Sequence, residues 1–114
     1  MPKKILVISG SPKKDGNTAA LMEWFCEGCR VGNAQIKIAH AAYLKCKVPG
    51  CTSCRECQQI EEYRCIIDDE VSLLLQKMPH ADIIVMATPL YFFSASAQLK
   101  IVIDRMFSLY KWDN

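Results

Sequence analysis

Two continuous apolar runs stand out along the chain. Ile5-Leu6-Val7-Ile8 and Ile83-Ile84-Val85-Met86-Ala87 each predict a short strand buried on both faces of a parallel sheet. A weaker alternating run, Ala34 to Ala39, predicts an edge strand with Lys37 toward solvent. Three stretches carry helical spacing instead. Leu21, Met22, Phe25 and Cys29 predict the sheet-facing side of a helix from Thr18 to about Arg30, with Trp24 and Cys26 off that line and Gly32-Asn33 as the stop. Val71, Leu74, Leu75 and Met78 predict a second helix, opened by Asp68-Asp69-Glu70, whose carboxylates suit a helix N-terminus. Leu99, Val102, Ile103, Met106 and Tyr110 predict a third, capped by Ser94 or Ser96 and running to about Leu109. Residues 40–67 have no clear period. They read as an inserted cysteine-rich loop with one short helix around Arg55–Glu62.

The order β-α-β-loop-α-β-α, with right-handed crossovers, gives a single α/β domain over residues 1–114. It predicts a three-layer, doubly wound parallel sheet in strand order 2-1-3. Ligands in such sheets bind beyond the carboxyl ends of the strands at the topological switch point, here between the first and third strands.

Two loops converge there. The first is Ser9-Gly10-Ser11-Pro12-Lys13-Lys14-Asp15-Gly16-Asn17-Thr18, between a strand and a helix N-terminus. The unpaired first-turn N–H groups and the helix dipole favour an anion. Ser9, Ser11, Asn17 and Thr18 add hydrogen-bonding side chains, and Lys13 and Lys14 add positive charge. Gly16 is followed by Asn17 where a Walker A loop needs lysine, and Gly10 is followed by Ser11-Pro12 where a dinucleotide loop needs a further glycine. What remains suits the single phosphate of a mononucleotide such as flavin mononucleotide (FMN). A plain strand–helix connection capped by Asn17 or Thr18 is the competing reading. The second loop, Thr88-Pro89-Leu90-Tyr91-Phe92-Phe93, offers a proline and aromatics suited to a flat ring, with at least one aromatic expected in the core.

Composition narrows the class. Lysine plus arginine number 14 against 12 acidic residues, so a formal charge of +2 gives no argument for nucleic acid or an anionic membrane. No apolar run approaches the roughly 20 residues of a membrane span. The apolar run after Met1-Pro2-Lys3-Lys4 is too short for a signal peptide, and a cytoplasmic location is expected. Seven cysteines without a secretory signal then favour metal or redox chemistry over a disulfide scaffold.

The residues from Gly10 to Thr18 and from Ala87 to Phe92, followed by Ser94-Ala95-Ser96-Ala97-Gln98-Leu99-Lys100 and Asp104-Arg105, resemble NADPH-dependent FMN reductases of the flavodoxin-like superfold. Cys51, Cys54 and Cys57, with Cys65 and Asp68-Asp69, resemble the iron–sulfur flavoprotein branch of that family. The resemblance implies that Ser9, Ser11, Lys13, Asn17 and Thr18 bind the FMN phosphate. It implies that Pro89, Leu90, Tyr91 and Phe92 line the isoalloxazine ring. Phe93 stands where the family usually has a glycine. The family also carries further strand–helix units, so the chain is expected to lack C-terminal strands. Its last residues, Tyr110-Lys111-Trp112-Asp113-Asn114, hold no helix stop signal. The third strand would then be an apolar edge, covered in a homo-oligomer or by a partner, unless the chain is a fragment.

Cys51, Cys54, Cys57 and Cys65 follow C-x2-C-x2-C-x7-C. Thiolates two residues apart can wrap one face of a 4Fe–4S cluster, with the fourth ligand from a nearby loop. Tetrahedral zinc and free thiols are the alternatives, and Cys46 could substitute for a ligand. Cys26 and Cys29 read as small packing residues, and His40 and His80 as polar residues at element ends. The function expected is an FMN oxidoreductase that takes electrons from NAD(P)H and passes them on, through a cluster at the cysteine loop. A one-electron carrier, or a non-catalytic zinc-binding assembly module, would fit the same residues. The flavin carries the chemistry, so no catalytic side chain is assigned.

Overall fold

The computed structural model describes residues 1–111; Trp112, Asp113 and Asn114, where the expected absence of a stop signal falls, lie outside the described residues. Strand β1 (Lys4–Ser9) is central, flanked by β2 (Gln35–His40) and β3 (Ile83–Ala87), all parallel, in the expected order 2-1-3. The register aligns Ser9 with His40 on one side and Ala87 on the other, so the three strands end level. Helices α1 (Asn17–Val31), α2 (Glu70–Lys77) and α3 (Ala97–Arg105) complete a three-layer, flavodoxin-like α/β arrangement.

The pleat of β1 explains the layers. Ile5 and Val7 point to one face and pack with Met22 and Cys26 of α1. Leu6 and Ile8 point to the other and pack with Val71, Leu74 and Leu75 of α2 and with Leu99 and Val102 of α3. Each of these residues is buried, as a central strand covered on both faces requires. β3 does not share that burial: Ile83 and Ile84 are exposed, because β3 is an edge of the described sheet.

Three expected details change. On α1, Thr18, Met22 and Cys26 face inward at i, i+4 and i+8, while Leu21 (62% exposed) and Phe25 stay outside. Cys26, expected off the packing line, is fully buried because a small side chain fits the close approach to β1. The third helix ends at Arg105 and tightens to a 3-10 turn, Met106–Leu109, which shifts the phase and leaves Tyr110 exposed. In the cysteine loop only a 3-10 turn, Glu56–Gln58, forms where a short helix is expected.

Candidate functional site

At the level ends of the strands, the two candidate loops share one junction. Gly10 N–H donates to Ala87 O (2.7 Å), and Ser96 Oγ donates to Gly10 O (2.6 Å). Ser96 also caps α3 by accepting from Leu99 N–H, and its own N–H donates to Thr88 Oγ1 (3.0 Å). A Cβ on Gly10 would lie 2.7 Å from both Leu99 Cβ and Ser96 Oγ. Only glycine lets the start of α3 close onto the end of β1. Gly10, Thr88 and Ser96 were not singled out by the sequence as junction residues; the signal available was a glycine straight after a buried strand.

The phosphate-loop candidates divide in two. Ser9 Oγ accepts from Ser11 N–H (3.2 Å) and Ser11 Oγ from Lys13 N–H (3.1 Å), so both buried serines fold the loop with their acceptor lone pairs and leave a hydroxyl proton for a ligand. Thr18 is buried as well, while Lys13 and Asn17 are exposed. Gly16, not Asn17 or Thr18, takes the N-cap position of α1, with no side-chain cap. The first-turn N–H groups of α1 therefore have no capping side chain competing for them. Tyr43 braces the loop from beyond β2: its hydroxyl donates to Pro12 O (2.6 Å), and Lys14 Nζ lies 4.3 Å from its ring centroid.

The aromatic loop is a tight turn. Tyr91 and Ser94 exchange both backbone hydrogen bonds (3.0 and 3.1 Å) across Phe92 and Phe93, which have φ of 44° and 65°. Left-handed backbone costs roughly 1–2 kcal/mol for a residue with a side chain, which is why glycine suits the Phe93 position. None of the aromatics is core, contrary to the expectation. Phe92 and Phe93 are 93% and 87% exposed and touch edge to face, and Leu90 and Tyr91 are also exposed. Pro89 is half-buried at the base, where its carbonyl accepts from Thr88 Oγ1 (2.9 Å).

The cysteine loop lies against the ends of α2 and α3. Cys51, Cys54, Cys57 and Cys65 line one cavity of about 20 Å³ together with Arg105 and Phe107. Cys51 and Cys54 are exposed on its rim, Cys57 is buried and Cys65 half-buried, so the sulfurs share a cavity without converging on a point. Among the described residues, no three His, Cys, Asp or Glu side chains form a group that could hold a metal ion. The donor chemistry does suit thiolate ligation. N–H groups point at three of the sulfurs: Ser53 N–H to Cys51 (3.3 Å), Gln58 Nε2 to Cys57 (3.3 Å) and Arg105 Nη2 to Cys65 (3.4 Å). Left-handed backbone at Gly50, Ser53 and Arg55 turns the chain sharply between the cysteines. Cys46 is exposed and does not line the cavity. Cys26 and Cys29 lie apart on α1, where burial pushes the Cys26 thiol up.

Side chains from both flanks hold this loop. Asp69 caps α2 by accepting from Ser72 N–H, accepts from Lys47 N–H (3.0 Å), and takes a two-pronged contact from Arg105 (Nη1 2.6 Å, Nη2 2.8 Å). Burial alone would raise the Asp69 carboxyl; Arg105 and the two N–H donors outweigh it and hold the pKa at about 2. Burial likewise opposes the charge on Arg105, yet the Asp69 and Cys65 contacts raise its pKa further. Glu70 accepts from Lys45 N–H (2.7 Å), so adjacent carboxylates pin the entry of the loop. At its far end Lys111 Nζ donates to the carbonyls of Cys57, Ile60 (3.0 Å) and Glu62 (2.7 Å). In the sequence Arg105 stands out only within the family-like Asp104-Arg105 pair and Lys111 only among the last residues; their contacts to the cysteine loop are with residues far away along the chain.

The chain matches the family model described as NADPH-dependent FMN reductase over residues 3–114. It is 35% identical over 102 residues to an iron–sulfur flavoprotein of Methanocaldococcus jannaschii, covering 90% of this chain and 51% of that protein. It is 33% identical over 102 residues to an iron–sulfur flavoprotein of Archaeoglobus fulgidus (90% and 48%) and 32% identical over 105 residues to one of Methanosarcina thermophila (90% and 51%). The chain thus spans about half the length of the curated relatives it matches. With the level strand ends, the glycine junction and a match along nearly its whole length, the chain belongs to the NADPH-dependent FMN reductase family.

Proposed function

We propose that this chain carries the FMN-binding part of a flavoprotein oxidoreductase that takes electrons from NAD(P)H. The observation that carries the reading is the Gly10–Thr88–Ser96 junction, which supports a site where the uncapped start of α1 and the exposed aromatic turn meet beyond the carboxyl ends of the strands. Ser9, Ser11, Lys13, Asn17 and Thr18 would hold the phosphate, with the first-turn N–H groups of α1 supplying the fixed positive end of a dipole. Pro89, Leu90, Tyr91 and Phe92 would lie along the ring and exclude water from one of its faces. Bound FMN supplies hydride acceptance and onward electron transfer; the side chains orient it and set its surroundings.

Cys51, Cys54, Cys57 and Cys65 would hold an iron–sulfur cluster as the electron exit, a reading favoured by their common cavity and by the three N–H groups aimed at sulfur. The exposed Ile83 and Ile84 support pairing of the β3 edge with a further chain, and sedimentation of a lone monomer would remove that part. The principal test is anaerobic purification with an absorption spectrum and assays of FMN, iron, sulfide and zinc. Flavin bands with an iron–sulfur shoulder, bleached by NADPH, are expected. Bound flavin that NADPH leaves oxidised would point to an electron carrier. Colourless protein with stoichiometric zinc would point to a non-catalytic assembly module.

A further inference from the structure

We propose that Arg105 sets the reduction potential of a cluster held by Cys51, Cys54, Cys57 and Cys65, acting as a positioning residue through the hydrogen bond its guanidinium donates to the Cys65 sulfur. This inference rests on the cluster reading given above.

Arg105 is 1% exposed and forms part of the cavity wall that the four cysteines line. Nη2 is shared among Cys65 Sγ (3.4 Å), Ser72 Oγ (2.8 Å) and Asp69 Oδ1 (2.8 Å), while Nη1 is committed to Asp69 Oδ2. Nε is buried and has no hydrogen-bond partner among the described residues. An ion pair that served only to tie α2 to α3 would have no need of a thiol, and a buried N–H left unpaired carries a free-energy cost. Both features lie on a side chain that lines the cysteine cavity.

The electrostatics give a sign. Thiolates around an iron–sulfur core leave a net negative charge, and taking up one electron increases it by one without breaking a bond. A buried cation hydrogen-bonded to a ligand sulfur favours the more negative, reduced form and raises the potential. Asp69 offsets part of this field. The guanidinium is nevertheless the group in contact with sulfur, and Asp69 holds its fork in place through the α2 cap. The arrangement therefore presents the positive end of a fixed dipole to Cys65.

The test is a dye-mediated potentiometric titration with dithionite on the full chain, reconstituted anaerobically with iron and sulfide. Three proteins are compared: wild type, Arg105→Lys, and Arg105→Met paired with Asp69→Asn. The double variant leaves no unpaired buried charge, and asparagine retains the helix cap. The expected result for it is a midpoint lowered by at least 59 mV, a tenfold change in the one-electron equilibrium. Lysine keeps the charge but loses the planar fork, so a smaller drop is expected. A merely structural role would reduce the fraction loaded without moving the midpoint of what is loaded. Unchanged midpoints in loaded variants would overturn this inference and leave the cluster reading standing. Wild type that takes up no iron and sulfide would overturn the cluster reading, and this inference with it.

Discussion

The loop over residues 9–18 and the loop over residues 40–67 both carry candidate chemistry, yet they are built by opposite means. The first is short and hangs between a buried strand and a helix. Its shape follows from the backbone: a glycine that admits α3, two serines that fold the chain locally, and an uncapped helix start. The second is long, with only isolated 3-10 turns between the strand and helix that flank it. Distant side chains hold it: Glu70 and Asp69 at its entry, Arg105 beside Cys65, Lys111 on three carbonyls. A site made by regular elements survives most single side-chain changes. A site made by side chains fails one contact at a time.

The largest expected effect separates the two at once. Asp69→Ala removes a helix cap and strands the Arg105 charge in the interior, which costs about 3–5 kcal/mol. Urea denaturation should report that loss, and any surviving folded fraction should keep its affinity for FMN in a fluorescence-quenching titration. Gly10→Ala should do the reverse. Its methyl would press on Leu99 and Ser96, costing up to about 3 kcal/mol, and FMN quenching should fall while the accessibility of the cysteines to a thiol reagent stays the same. Equal loss of both functions in either variant would mean the loops do not behave as separate units.

Acid should act on the cysteine side first. The Asp69 carboxyl titrates at about 2 when folded against 3.8 ordinarily, so its contribution is complete above about pH 4 and is lost as pH falls through 2. The difference is worth about 2 kcal/mol, and hydrogen exchange at Lys47 and Ser72 should accelerate across that window before exchange in β1 does. The smallest effect expected is a gain. Phe93→Gly relieves a left-handed residue that is almost wholly exposed, and should add about 1 kcal/mol to stability while widening the mouth of the aromatic turn.

How much of this was legible in the sequence depends on how local each signal is. The three strands and their order follow from contiguous patterns, and the structure repeats them nearly residue for residue. The face of α1 was misphased because Leu21 and Phe25 outweigh Cys26 in any hydrophobicity count, yet close approach to β1 favours the smaller side chain. The burial of Arg105 could not be read locally, since Asp69, the partner that makes it tolerable, lies 36 positions away. The left-handed pair at Phe92 and Phe93 was hidden for a different reason. Neither residue advertises that conformation, and the only hint was a phenylalanine standing where the family usually has glycine. The four cysteines were legible as a set through their spacing, and they do share a cavity; the N–H groups aimed at them were not legible.

The central position of β1 also has a consequence for biosynthesis. Its first neighbour, β2, follows it across a single helix, whereas its second, β3, arrives only after the whole cysteine loop and α2. A chain emerging from the ribosome can close the β1–α1–β2 unit early, and then leaves Leu6 and Ile8 uncovered until α2, β3 and α3 follow. The nascent protein thus exposes one half of its sheet during the interval in which five of its seven cysteines are being made, so aggregation and thiol oxidation share one window of synthesis.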